Sequence, residues 1–172
     1  KRVDAARLLY LYAYGGVYMD VDFACLKPLG PDLLPPGHFV AGYQTRSKDA
    51  DTGPIANAFM AAPPGHPFVR YLISRLNQSS YHRGNVVGVL AATGPLFLSR
   101  AVREYQLAHG RSAKVTIHEM PTVYPFAANE ANLCGTGETP TSLARCATLM
   151  ANESAWFVHF WTHKETWARC TA

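Results

Sequence analysis

Tyr14-Gly15-Gly16-Val17-Tyr18-Met19-Asp20-Val21-Asp22 is the stretch on which the reading of this chain turns. Val17, Met19 and Val21 alternate with Tyr18, Asp20 and Asp22, and a period of two describes a strand with one face in a core and the other free for chemistry. The pattern predicts one strand through Asp22, with both carboxylates leaving on the same side. Carboxylates that close repel each other unless positive charge lies between them, and a hard divalent cation with oxygen ligands is the usual solution. Such a cation would in turn bind phosphate. An isolated Asp-x-Asp is short enough to arise by chance and is most often a solvated strand end, so its surroundings decide.

Upstream, Lys1 to Tyr14 is rich in Ala, Leu and Arg and predicts a helix that stops at Gly15-Gly16, where a left-handed cap carries no side-chain cost. Asp4 and Arg7 lie three apart and share a face of that helix. Beside a diacid strand they make a polar cluster suited to sugar hydroxyls and a phosphate. The ordinary alternative for such a pair is a solvated surface ion pair.

Asp4-Ala5-Ala6-Arg7, Leu9-Tyr10-Leu11-Tyr12, Tyr14-Gly15-Gly16-Val17-Tyr18, Asp20-Val21-Asp22 and Cys25-Leu26-Lys27-Pro28-Leu29 together resemble the DXD sugar-binding region of the Och1-like glycosyltransferases. This is the family 32 type, which includes inositol phosphorylceramide mannosyltransferases and α-1,4-glycosyltransferases. Ile55 to Met60, Pro64 to Phe68 and Thr93 to Ser99 resemble later blocks of the same family, the last leaning towards the sphingolipid mannosyltransferases. The resemblance implies an α/β, GT-A-like nucleotide-diphospho-sugar transferase fold. It also implies a retaining transfer of a hexose, mannose favoured, to a glycan or glycolipid acceptor, with Mn²⁺ or Mg²⁺ as cofactor. The donor is expected to be GDP-mannose, with a UDP-sugar as the alternative. The expected location is a Golgi or other secretory-pathway lumen.

The carboxyl-terminal block Trp156 to Trp167 reads as an alternating apolar strand ending in His159, followed by His163 and Lys164. It offers an imidazole for a metal and an ammonium for a phosphate. Retaining transferases of this broad fold commonly end in His followed by Lys and Trp, and the block resembles that pattern. The expected ligand set is Asp20, Asp22 and His159, with His163 as the alternative to His159; a buried aromatic strand with a satisfied histidine is the plain alternative. Asp20, Asp22 and Arg7 are the expected catalytic groups. Asp4, Arg7, Asp20, Asn57, Thr93, Lys164 and Trp167 are the expected donor contacts, Asn57 and Thr93 being equally readable as a local strand-end residue and a helix cap.

With 172 residues, 48% hydrophobic and 16% charged, the chain falls in the globular range and fits a single catalytic domain. A nucleotide-binding fold would have further strands ahead of the first helix, so the domain is expected to be N-terminally incomplete, with any membrane association made by segments outside this chain. The net charge of +4 is scattered, leaving no footprint for nucleic acid. No apolar run reaches the length of a membrane span, and no signal-peptide pattern opens the chain. Cys25, Cys134, Cys146 and Cys170 form no C-x-x-C pair, which argues against a zinc ribbon, and their three possible pairings stay open. Asn77-Gln78-Ser79 and Asn152-Glu153-Ser154 are glycosylation sequons.

Between the ends, strands are expected at His38 to Tyr43, Ile55 to Met60 and Val115 to Ile117, and helices at about Phe68 to Leu76 and from Gly94-Pro95 to about His109. Gln44 to Pro54 reads as a loop, and so does the Ser-, His- and Asn-rich segment that follows Leu76. His66 is expected to be structural. Two rival functions use the same motif: a Mg²⁺-dependent phosphohydrolase, against which Phe23-Ala24 argues because a hydroxyl residue usually follows the acids closely, and a non-catalytic nucleotide-sugar-binding subunit.

Overall fold

A computed structural model describes residues 2–44, 53–76, 86–120, 122–125, 148, 151 and 155–160. Helix α1 (Arg2–Tyr14) leads into strands β1 (Gly16–Met19), β2 (Phe23–Cys25), β3 (Phe39–Tyr43) and β4 (Ile55–Ala62). Helices α2 (Pro67–Leu76), α3 (Val86–Ala92) and α4 (Pro95–His109) follow, then a 3₁₀ turn (Gly110–Ala113) and strands β5 (Val115–His118) and β6 (Phe157–His159). The chain is α/β, as expected. A four-stranded sheet runs in the order β1-β4-β3-β5, with β4 antiparallel to both neighbours and β5 parallel to β3. A separate antiparallel pair joins β2 to β6.

Alternation along the central strands divides the core. Phe39, Ala41, Ile55, Met60 and Ala62 face Leu8 and Leu11 of α1, Phe68, Val69 and Leu72 of α2, and Phe97, Leu98, Ala101, Val102 and Tyr105 of α4. On the other face Val40, Ala56, Ala58, Phe59 and Ala61 pack with Leu33, Val123, Tyr124 and Phe157. Burial of two apolar faces by separate layers makes β3 and β4 nearly continuous hydrophobic runs. No helix among the described residues is long and apolar enough to cross a membrane.

Ala58 and Phe59 are successive residues on the same face, so β4 is irregular there. Its register with β3 shifts correspondingly: Val40 pairs with Ala61, whereas Gly42 pairs with Ala56. A β-bulge of this kind re-aims backbone groups. The Asn57 carbonyl is turned to Arg7, and the Phe59 N–H donates to the buried Tyr124 hydroxyl at 3.1 Å.

Two expectations are corrected. The strand ends at Met19, and Val21 and Asp22 form a turn, because Val21 finds no core and is 79% exposed. The segment after Leu76 is not all loop: α3 lies within it, where Val, Leu and Ala lead into Thr93-Gly94. The other expected helices and strands form within a few residues of the anticipated bounds, β4 running on to Ala62 and β6 covering three residues. The Gln44 to Pro54 loop lies largely outside the described residues, as do both sequons and Cys134, Cys146 and Cys170; Cys25 is an exposed free thiol.

Gly15 closes α1 with φ +66°, and its N–H donates to the Leu11 carbonyl at 2.9 Å. A Cβ at this position would lie 2.5 Å from Pro64 Cδ and 2.6 Å from Pro64 N, in the turn that carries the chain into α2. Gly15→Ala combines the left-handed penalty with a backbone clash and is expected to destabilise the fold by roughly 2–4 kcal/mol, read as a lower urea midpoint at unchanged m-value.

His66 is the N-cap of α2. It is 3% exposed, its Nδ1 accepts the Phe68 N–H at 3.2 Å, and its carbonyl accepts the Arg70 N–H at 3.1 Å. Its Nε2 faces the backbone of Gly37 and Lys114 without a well-formed hydrogen bond. Burial holds the imidazole below its ordinary value of 6.5, which those carbonyls only partly offset. The unfolded chain therefore takes up the proton first: this contribution to stability is complete above the ordinary value and declines as the pH falls through it. His66→Asn keeps a capping acceptor and cannot titrate, so its stability should fall less steeply between pH 7 and 5 in denaturant titrations.

Candidate active site

The carboxylates come together because the chain turns between them. The Asp20 N–H still donates to the Ala58 carbonyl at 2.8 Å, so Asp20 is held at the end of β1. The turn then reverses the chain into β2, whose first residue Phe23 pairs with His159 of β6, and the Phe160 N–H donates to the Asp22 carbonyl at 2.9 Å. This pairing carries His159 across 137 positions of sequence to place its Nε2 3.0 Å from Asp22 Oδ1. Asp20, Asp22 and His159 each offer a ligand atom, all within 4.8 Å of one another. The expected convergence of both acids and His159 is what the structure contains, by a turn rather than along one strand.

Two carboxylate oxygens and an imidazole nitrogen suit a hard or borderline divalent cation such as Mn²⁺ or Mg²⁺. Burial pushes the His159 imidazole below its ordinary value, against the opposing pull of Asp22, and so favours the neutral form a metal requires. The Phe23 ring stacks on the imidazole at 4.3 Å between centroids, 9° from parallel, and fixes its plane.

Beside this trio lies a second cluster built on Arg7, which is only 7% exposed and is no surface ion pair. Its guanidinium meets Asp4 Oδ1 at 3.2 Å and Asp20 Oδ1 at 3.5 Å, and it donates to the Asn57 carbonyl. Asp4 is also engaged from the far side: the Thr93 hydroxyl donates to its Oδ2 at 2.8 Å and Asn57 Nδ2 to its Oδ1 at 3.3 Å. The Asn57 amide reaches the Thr93 carbonyl as well, at 3.4 Å. Asn57 is thus a mid-strand bridge and not a strand-end residue. Nor is Thr93 the cap of α4, since Gly94 stands at that position and makes no side-chain cap. Asp4, Arg7, Asn57, Thr93 and Asp20 form one connected polar floor, and α1, β1, β4 and the α3–α4 junction each supply part of it.

Sequence reasoning passed over Tyr18. Its hydroxyl donates to Asp20 Oδ1 at 2.6 Å, and the Arg7 guanidinium carbon lies 4.4 Å from its ring centroid. Burial first, and then the bond to Asp20, push the phenol above its ordinary value, so it remains a donor. The signal was available in the opening stretch, where Tyr18 shares the parity of Asp20. Lys164, Trp167 and His163 lie outside the described residues.

Residues 1–40 match the family model described as a glycosyltransferase sugar-binding region containing a DXD motif. The chain carries a DXD sugar-binding region. Asp20-Val21-Asp22 is the DXD, and Asp4, Arg7 and Tyr18 fall within the same matched span. Among curated relatives, inositol phosphoceramide mannosyltransferase 1 of Schizosaccharomyces pombe is 36% identical over 118 residues, 67% of this chain and 34% of its own length. A mannosyl phosphorylinositol ceramide synthase of Saccharomyces cerevisiae is 32% identical over 62% of this chain and 26% of its own length. An uncharacterized glycosyltransferase of Acanthamoeba polyphaga mimivirus is 24% identical over 92% of this chain and 58% of its own. The alignments thus span about a third or a quarter of these two yeast relatives, and rather more than half of the viral one.

Proposed function

We propose that this chain is the catalytic part of a metal-dependent, retaining glycosyltransferase with a GT-A-like fold, moving a hexose from a nucleotide sugar to a glycan or glycolipid acceptor. The observation that carries the reading is the meeting of Asp20, Asp22 and His159 ligand atoms within 4.8 Å, next to the buried Asp4–Arg7 pair. Mannose, and with it GDP-mannose, is favoured over UDP-sugars because relatives in two yeasts are named mannosyltransferases or mannosyl-transferring synthases of inositol phosphoceramides. Their acceptors make a glycolipid the preferred acceptor class here. A secretory-pathway lumen is the proposed location, favoured by the two glycosylation sequons Asn77-Gln78-Ser79 and Asn152-Glu153-Ser154.

Asp20, Asp22 and His159 would hold Mn²⁺ or Mg²⁺. A bound cation supplies Lewis acidity to the departing nucleoside diphosphate. Arg7 adds a fixed positive charge at the same place, pre-oriented by Asp4 and the Asn57 carbonyl and therefore needing no rearrangement as charge develops. Tyr18 keeps Asp20 turned towards that charge. Asp4 and the Asn57 and Thr93 groups around it present acceptors and donors for hydroxyls of the transferred sugar. Lys164 and Trp167 are assigned to the donor diphosphate and its sugar on the family pattern.

The test is calorimetric titration of GDP-mannose and a UDP-sugar, each with and without Mn²⁺. Saturable GDP-mannose binding that requires Mn²⁺ is expected. Equal binding without the cation, or none of either nucleotide sugar, would remove the proposal.

A further inference from the structure

The strands place a second polar site far from the DXD acids. β1 and β3 are each antiparallel to β4 and therefore run the same way, and β5 is parallel to β3. Asp20 follows the end of β1, whereas His38 precedes β3 and Lys114 precedes β5, at the opposite end of the sheet. There a surface pocket of about 590 Å³, open to solvent, is lined by His38, Gln106, Gly110, Arg111, Lys114 and Val115. The volume falls within the range of small-molecule sites, roughly 300–1,000 Å³.

Its chemistry is one-sided. Among the described residues the lining brings together an ammonium, a guanidinium, an imidazole and a carboxamide, with no carboxylate. Neither Arg111 nor Lys114 has an ion-pair partner among the described residues. Thr116 Oγ1 lies 2.9 Å from His38 Nδ1, which fixes the ring and leaves Nε2 as its free edge. Gln106 Nε2 reaches the Val115 carbonyl at 3.4 Å, tying α4 to the strand at the cavity wall.

Lys114 also occupies a costly backbone conformation. Its φ of 47° and ψ of 48° are left-handed, and among the described residues it is the sole non-glycine with positive φ. Gly or Asn would take this turn with less strain. A long cation in so strained a position points to a use for its charge. The turn cannot simply move away, because the Lys114 carbonyl accepts the Phe39 N–H at 2.9 Å and so begins the β3–β5 ladder.

We propose that this cavity binds a phosphate ester, the phosphate between Arg111, Lys114 and His38 and the organic part filling the remaining volume. Guanidinium and ammonium are the side chains that bind phosphate most strongly, and a cavity of this size exceeds what the bare anion fills. The ester is supplied either as a soluble organic phosphate or as the headgroup of an anionic phospholipid. The site is independent of the DXD region and needs no divalent cation.

The test uses the full chain in buffer with chelator. Glycerol 3-phosphate is titrated calorimetrically, and sedimentation is measured with phosphatidylcholine vesicles, with or without phosphatidylinositol. Lys114→Gly should relieve the strained turn and raise Tm while weakening binding roughly tenfold, the loss expected for one charge-assisted contact. Arg111→Gln, an exposed replacement, should weaken binding to a similar degree, and Asp22→Asn should leave it unchanged. Saturation by glycerol 3-phosphate assigns a soluble ester; sedimentation only with phosphatidylinositol, lost in Lys114→Gly, assigns a headgroup. Absence of binding to either probe, undiminished binding in both Lys114→Gly and Arg111→Gln, or loss in Asp22→Asn would overturn the proposal.

Discussion

Asp22→Asn is expected to lower Mn²⁺ affinity by about 100-fold or more and donor turnover by about a thousandfold, with the fold retained. Asp22 is the acid most committed to the cation position: its side chain is 12% exposed and its Oδ1 lies 3.0 Å from His159 Nε2. The amide removes one negative charge and leaves one oxygen of lower basicity, so the imidazole loses the partner that orients it. Asp20 should be less severe when replaced by Asn, because Tyr18 and Arg7 already draw on its Oδ1. Calorimetric Mn²⁺ titration separates cation loss from loss of fold, which far-ultraviolet circular dichroism follows. Parental Mn²⁺ affinity in Asp22→Asn would place the ligands elsewhere.

Arg7→Leu should cost about 3–5 kcal/mol of folding stability, because it strips the cation from Asp4, which stays mostly enclosed, and leaves half-buried Asp20 and the Asn57 carbonyl without it. Against a typical stability of roughly 5–15 kcal/mol, that is enough to unfold an appreciable fraction of molecules at 37 °C. The guanidinium bridges Asp4 on α1, Asp20 at the end of β1 and the Asn57 carbonyl on β4. Lysine retains the charge but not the planar fork, so Arg7→Lys should be intermediate in stability and still poor in turnover. Urea midpoints of the three proteins test the ranking; an unchanged midpoint in Arg7→Leu would show that the network adds nothing to the fold.

Much of this arrangement was legible in the chain itself. Helix α1, its glycine stop, the pairing of Asp4 with Arg7 and the strands at Phe39 and Ile55 follow from spacing and composition. The path of the chain from Met19 to Phe23 did not, because strict alternation cannot distinguish a strand from a strand that turns once its apolar residues run out of core. Val21 has the right parity and no partner layer. The bulge in β4 was equally hidden: Asn57-Ala58-Phe59 has no glycine to mark it, and the partners of its backbone groups, Arg7 on the Asn57 carbonyl and the Tyr124 hydroxyl on the Phe59 N–H, are remote in sequence. The role of Thr93 was half visible, since a threonine before Gly-Pro predicts a cap equally well, and only the tertiary placement of the α3–α4 junction beside Asp4 sends its hydroxyl there.

The β2–β6 pairing has a temporal side. Asp20 and Asp22 are made 137 or more residues before the imidazole that completes their set. During synthesis both acids therefore leave the ribosome early and remain a weak, open chelator until β6 is laid down. On the proposed function, loading with a cation would be a late event in the life of each molecule, and occupancy of the site would report that β6 has docked.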